Sequence, residues 1–358
     1  MKLLVIKLHA LGDLVIHTPA FELLRDGIPE AEITLLTTDW ASPAAIGLPF
    51  FNHVITVPNS LFFADKLKAL VGLSRLLLKL RKELFDVVVS FHKSGLLNRY
   101  FRFVGRSDRF FSYSDHDSST TIKLDETRHS APNAVDLTRL VIEKVAERNS
   151  TFDQDELRYR WAVSADEISA SKSIIDSLGI VNNRIAMIFP GGGSNPSSEA
   201  PEKRWKAEGF ARVAEWLKSS EGLDTILSGS RSDLHVCEEV ANLAKVTTFN
   251  ICGKTEIRLT AAIMAQSCIV LSNDSAPLHI SAAVGAPTVG IFGPTGAKHK
   301  LPPGDHSVSV SLGLPCSPCY YGTFKGCIFE NIRCMDELSH QQVIEAMKSL
   351  LNKLPAQR

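Results

Sequence analysis

The sequence has no surplus of charge of either sign. Its 39 Lys and Arg are matched by 39 Asp and Glu, so no general affinity for nucleic acid is expected and charge has to be read segment by segment. It has no apolar run of the ~18–20 residues needed to span a bilayer. The opening stretch MKLLVIKLHALGDLVIH is interrupted by Lys7, His9 and Asp13 and shows no small-residue cleavage site. It reads as the buried first strand of a cytoplasmic protein. The sequence also lacks an even set of cysteines: Cys237, Cys252 and Cys268 are followed by a cluster at Cys316, Cys319, Cys327 and Cys334. An odd count without a leader argues against an extracellular disulfide scaffold. Two nucleotide signatures are missing as well. The GxGxxG register from Gly191 meets Pro196 at its sixth position, and Thr248 stands where a P-loop ending in Gly253-Lys254-Thr255 needs its first glycine.

What is present is a βα rhythm repeated twice. A chain of 358 residues, 44% hydrophobic, is long enough for two domains. In the first half, short apolar strands are expected at Leu3–Ile6, Glu32–Thr37, Val54–Val57 and Asp86–Ser90, with helices near Leu14–Asp26 and Ala134–Glu147. In the second half, strands are expected at Arg184–Phe189, Thr225–Leu227, Thr247–Ile251, Ile269–Leu271 and Thr288–Phe292, with helices at Ala165–Leu178 and Ala207–Lys218. The polar, aperiodic stretch Ser112–Thr127 reads as a long loop or flap. Domains are expected over about 1–163 and 164–358, with a terminal amphipathic helix over about 338–354.

Ligands of parallel sheets collect beyond the carboxyl ends of strands, where helix N-termini offer free N–H groups to anions. Three such loops stand out. Gly12-Asp13 follows the first strand; Gly12 allows a tight turn or close approach of a ligand, and Asp13 is either a helix cap or a functional carboxylate. Gly191, Gly192, Gly193 and Ser194 follow another strand, and Lys203 or Arg204 can add charge toward a phosphate. Asn273-Asp274-Ser275 opens a small-residue helix carrying His279; Asp274 either caps, orders the loop or accepts from a sugar hydroxyl, and His279 is as readily a packed histidine as a phosphate contact. Between Asp65 and Arg109 eleven basic residues face four acidic ones. The first part has the pattern of a basic amphipathic helix, suited to an anionic surface or substrate, or simply a solvated face.

These motifs occur in an order that resembles glycosyltransferase family 9, the bacterial ADP-heptose:lipopolysaccharide heptosyltransferases: Gly12-Asp13 with Thr18-Pro19, Pro190-Gly191-Gly192 with Lys203-Arg204-Trp205, Gly253-Lys254-Thr255, Asn273-Asp274-Ser275 with His279, and Phe292-Gly293-Pro294-Thr295. The resemblance covers nearly the whole chain. It implies an α/β GT-B fold: two Rossmann-like domains with parallel sheets facing a cleft, acceptor on the first and nucleotide-sugar on the second, with the terminal helix returning toward the first domain. Ala276-Pro277 and Asp233 depart from what the family often carries, the latter standing where several members have a Glu near the nucleotide.

The resemblance implies Asp13 as general base and Gly191, Gly192, Gly193, Ser194, Lys203, Asp233, Thr255, Asp274, Ser275 and His279 as donor-binding residues, with Gly12, Lys93 and Arg99 on the acceptor side. The implied reaction is inverting transfer of a heptose from an ADP-sugar to an anionic lipopolysaccharide core, with no obligatory metal or cofactor and no nucleic acid. It implies a cytoplasmic enzyme, in peripheral contact with the inner membrane surface where its acceptor lies. A GT-B epimerase and a non-catalytic nucleotide-binding relative remain the alternatives. Cys316, Cys319, Cys327 and Cys334 read as packing thiols by default. Structural zinc is the other reading, since the first pair has metal-knuckle spacing and the second is spread more widely.

Overall fold

A computed structural model of the chain describes residues 1–358 apart from 63–65, 106–108, 149–151, 154–156, 181–183, 193, 196–197, 321–325, 330 and 354–358; for 66–68, 194–195 and 198 it describes the backbone alone. The chain forms two compact units, Met1–Arg160 and Trp161–Arg358.

The first unit runs β1 (Lys2–Ile6), α1 (Leu11–Ile16), α2 (Thr18–Gly27), β2 (Glu32–Thr38), β3 (His53–Val57), α3 (Lys66–Lys82), β4 (Val87–Ser90), α4 (Gly95–Phe101), β5 (Phe110–Ser114), β6 (Thr121–Lys123) and α5 (Ser130–Ala146). Its sheet is wholly parallel in the order β3-β2-β1-β4-β5-β6. β1 and β4 are continuous apolar runs because helices cover both faces. The stretch Ser112–Thr127 is therefore not a single loop: it completes β5 and contains β6. The reading missed them because β6 is a short polar edge strand. It is held by side chains rather than by apolar burial, with Asp117 Oδ1 accepting from the Lys123 amide at 2.6 Å and the Ser118 hydroxyl from the Thr121 amide at 3.1 Å. α4, capped by the Ser94 hydroxyl accepting from the Leu97 amide, is a further element beyond those expected from sequence.

The second unit runs α6 (Ala165–Ser177), β7 (Ile185–Phe189), the two-residue β8 (Ser194–Asn195) and β9 (Ser198–Glu199), α7 (Ala207–Glu221), β10 (Asp224–Leu227), α8 (Leu234–Leu243), β11 (Thr248–Asn250), α9 (Ile257–Met264), β12 (Ile269–Asn273), α10 (Ala276–Ala283), β13 (Thr288–Ile291), α11 (Ala297–Lys300), β14 (Ser307–Val310), α12 (Arg333–Asp336) and α13 (His340–Lys353). Its large sheet is parallel in the order β11-β10-β7-β12-β13-β14. β14 adds a strand beyond the last one read from sequence. Numbered within each unit, both sheets have the Rossmann order 3-2-1-4-5-6, and each reverses direction between its first and fourth strand. Those reversals lie at β1/β4 and β7/β12.

The last helix packs on α7, β13 and β14. It fully buries Val343, Met347 and Leu350, and just before it the Leu338 carbonyl accepts from Trp205 Nε1 at 3.0 Å. Each such apolar side chain contributes roughly 1.5–3 kcal/mol on burial, so α13 is an integral part of this unit's core.

Candidate active site

At the reversal of the first unit, β1 ends at Ile6 opposite Ser90 of β4, and the chain turns through Lys7–Ala10 into α1. The helix starts at Leu11, three residues earlier than the sequence suggests, and breaks at His17, whose Nδ1–H donates to the Asp13 carbonyl at 2.6 Å. Gly12 is consequently a buried helical residue rather than a turn glycine. The N-cap is Ala10, without a side-chain cap. Asp13 is therefore not the cap. It sits in the first turn with its side chain 42% exposed, and Lys7, whose side chain is only 7% exposed, places Nζ 4.0 Å from Oδ2.

Around that buried ammonium stand His9 and His92. Burial and then the charge of Lys7 lower the pKa of both, His92 strongly, with Asp13 opposing. A neutral His92 agrees with its geometry: Nε2 accepts from the Leu8 amide at 2.9 Å, a bond that ties the β4 end to the β1 end. Neither Lys7 nor His92 was singled out from sequence. The available signal for Lys7 was a lysine inside an otherwise apolar opening run. Lys93 and Arg99, read as acceptor residues, line a cavity over β5 and β6; Lys93 is ion-paired to Glu126 at 3.3 Å.

At the reversal of the second unit, Asn273 closes the end of β12. Its Nδ2 donates to the carbonyls of Pro190 and Gly191, both at 2.9 Å, and its Oδ1 accepts from the Trp205 amide at 3.1 Å. One side chain thus joins the glycine loop, the β12 end and the Lys203-Arg204-Trp205 segment. The glycines are required sterically. A Cβ on Gly191 would overlap the Asp233 carboxylate, and Gly192 has φ +104° with Ser275 placed 2.8 Å from where its Cβ would be.

Asp233 is buried and accepts from the amides of Gly192 (3.2 Å) and Ser230 (2.9 Å) and from the Ser230 hydroxyl (2.6 Å). It braces the loop. Arg204 donates from Nε to the Gly192 carbonyl at 2.8 Å. Gly193 lies outside the described residues, as does the side chain of Ser194.

Asp274, 5% exposed, does not cap α10; it pairs with Lys203, Nζ to Oδ2 3.2 Å, and Lys203 also lies 4.5 Å over the Tyr320 ring. Burial works to raise the Asp274 pKa, but the charges of Lys203, His279 and Lys300 prevail and hold it below the usual carboxylate range. His279 is buried in α10, one turn beyond Asp274. Ser275, the N-cap, gives α10 no side-chain bond; its hydroxyl turns back to the Asn273 carbonyl at 3.3 Å. Thr255 lies two residues beyond Gly253, whose amide donates to the Gly229 carbonyl at 3.0 Å. It follows the edge strand β11, and its hydroxyl meets that of Thr260 at 2.8 Å.

Residues 74–330 match the sequence profile of glycosyltransferase family 9 (heptosyltransferase). The chain belongs to that family. Among curated family 9 relatives, "Lipooligosaccharide heptosyltransferase 2" of Campylobacter jejuni is 34% identical over 165 residues, which are 44% of this chain and 50% of that protein. The chain thus matches about half the length of that relative. "Lipopolysaccharide heptosyltransferase 2" of Escherichia coli K12 is 25% identical over 98% of this chain and 99% of its own. The solved structure of E. coli ADP-heptose lps heptosyltransferase II superimposes with a TM-score of 0.75 at 20% identity, covering 99% of each chain, and shares the GT-B fold.

All seven cysteines are free thiols. Burial, then the neighbouring thiols, push Cys334 up to about 11. Among the described residues no three His, Cys, Asp or Glu side chains are arranged to hold a metal ion.

Proposed function

We propose that the chain is an inverting glycosyltransferase moving a heptose from an ADP-heptose donor to a lipopolysaccharide inner-core acceptor. Membership of family 9 and the activities named for its relatives support this reading. The observation that carries it is the environment of Asp13, a half-exposed carboxylate beside a buried ammonium at the reversal of a Rossmann sheet, with no capping duty.

In the proposed step the acceptor hydroxyl oxygen bonds to the anomeric carbon while the bond from that carbon to the β-phosphate oxygen breaks. The proton passes to Asp13, and ADP leaves with the electron pair. Lys203, fixed by Asp274, and the N-terminus of α10, which Ser275 leaves uncapped, would balance the charge developing on the diphosphate. The reaction so written uses no metal. Asp233 acts here through the glycine loop rather than on the nucleotide. The acceptor is lipid-anchored, and α3 offers exposed Leu70 and Leu78 among Arg75, Lys79 and Lys82 for peripheral contact with the inner face of an anionic membrane.

The test is incubation with ADP-heptose and a series of truncated cores, read by mass spectrometry and by NMR of the new anomeric centre. One added heptose in the inverted configuration, with release of ADP, is the expected result. A sugar altered when the donor is incubated alone would instead make the chain an epimerase, and ADP-heptose binding without either product would make it a non-catalytic relative.

A further inference from the structure

The reaction as written gives no part to Phe292-Gly293-Pro294-Thr295, the loop that follows β13. In the structure this loop anchors a segment from further down the chain. The Ser317 hydroxyl donates to the Gly293 carbonyl, and the amides of Cys319 and Tyr320 both donate to the Pro294 carbonyl, at 2.8 and 2.9 Å. Gly293 is itself fixed, because a Cβ there would overlap Met335 of α12. Tyr320 is thereby held against Lys203, whose Nζ lies 4.5 Å from the ring centroid. The same loop reaches the other partner of that lysine. Against burial, which works to raise its pKa, Asp274 is kept ionised by Lys203, His279 and Lys300 and by the Thr295 hydroxyl buried beside it. Both neighbours of the Lys203 ammonium thus hang from adjacent residues, Pro294 and Thr295.

The two neighbours act on that ammonium in different ways. Asp274, at 3.2 Å, takes one of its three protons and cancels its charge. A second carboxylate would turn the site negative and repel a phosphate. The negative face of an aromatic ring instead attracts an ammonium without neutralising it and without taking one of its protons. Lys203 is only 16% exposed, so this attraction is little screened by salt.

We propose that Tyr320 is a positioning residue of the donor site, its ring face holding the Lys203 ammonium against Asp274 so that the remaining N–H groups meet the donor's diphosphate. The proposal deepens the donor half of the reaction above and rests on the reading that Lys203 binds that diphosphate.

The test is calorimetric affinity of the full chain for ADP in a series at position 320, with melting curves fixing a temperature at which every variant is folded. Tyr320→Phe keeps the ring face and should bind within about twofold of wild type. Tyr320→Leu removes the face and should weaken binding about three- to tenfold. A ring-fluorinated phenylalanine at 320 keeps the shape while weakening the negative face, and should fall between the two. Lys203→Gln retains a donor for Asp274 without the charge; in that background Tyr320→Leu should have no further effect. Equal affinity across the ring series, or the same loss from Tyr320→Leu in both backgrounds, overturns the proposal and leaves the donor role of Lys203 standing. ADP affinity unchanged in Lys203→Gln overturns that donor role, and the proposal with it.

Discussion

Both halves of the molecule set a lysine against an aspartate at the reversal of the same strand order, yet the two pairs differ in what is buried. In the first unit the lysine is buried and the carboxylate is 42% exposed, 4.0 Å away. In the second the carboxylate is 5% exposed and the lysine touches it at 3.2 Å. A carboxylate locked onto an ammonium in low dielectric is a fixed part of the wall, because both its charge and its geometry are committed. A carboxylate that faces water with the cation behind it stays ionised and accessible, as a base must be. On the proposed reading, the same two residue types hold a phosphate-binding lysine in one half and present a proton acceptor in the other.

The largest expected effect comes from the exposed partner. Asp13→Asn keeps size and loses basicity, so kcat should fall by about 10² to 10⁴ with ADP-sugar affinity and melting temperature little changed. Near-normal turnover in a stable variant would erase the distinction between the two aspartates. The buried pair should respond in the opposite way. Lys203→Ala leaves the buried Asp274 with only His279 and Lys300 to offset its charge, and Asp274→Ala leaves Lys203 over the Tyr320 ring without its carboxylate, so each should cost up to about 3–5 kcal/mol of stability as well as donor affinity. Calorimetry of both variants and of the double variant checks this; additive losses would mean the pair is not coupled.

How much of this was legible in the sequence differs between backbone and site. The βα rhythm, the glycine loop and the motif loops around Asp13 and Asp274 could be read because each is local. β6 could not, since its stability comes from hydroxyls and Asp117 rather than from apolar alternation. The partners of the site residues were also hidden. His92 meets Leu8 across 84 positions, Asn273 meets Pro190 across 83, and the Asp274–Lys203 pair spans 71. Nothing local marks such pairings. The bond from the Gly192 amide to the Asp233 carboxylate, across 41 positions, was hidden in the same way.

Acid sharpens the comparison with a smaller effect. His92 is held neutral, with its pKa well below the usual value, so below about pH 6.5 the unfolded chain binds a proton that the folded first unit does not. Its stability is full above that pH and falls as pH drops, by up to about 1.4 kcal/mol per pH unit, until the folded imidazole itself protonates. Asp274 has a depressed pKa; its contribution is present above about pH 3.9 and is lost as pH falls through its lower folded value. His92→Gln, which retains an acceptor for the Leu8 amide, should flatten the decline in melting temperature between pH 6.5 and pH 5. An unchanged slope would remove His92 as its source.

The smallest effect is expected at α3, away from both pairs. Reversing the charges of Arg75, Lys79 and Lys82 together should leave melting temperature and turnover on deacylated acceptor unchanged, since such exposed charges contribute at most about 1 kcal/mol each. It should reduce cosedimentation with anionic vesicles at low salt. Equal cosedimentation would leave α3 a solvated face.

The strut from Trp205 to the Leu338 carbonyl, with Lys206 Nζ reaching the Asp336 carbonyl at 3.0 Å, makes the donor loop answer to the tail of the chain. Trp205 is also the residue whose amide Asn273 holds. A protease cut or stop codon ahead of α13 would therefore do more than uncover Val343, Met347 and Leu350. It would also loosen the tryptophan next to Lys203, so that, on the proposed reading, damage at the far end of the sequence would reach nucleotide affinity as well as stability.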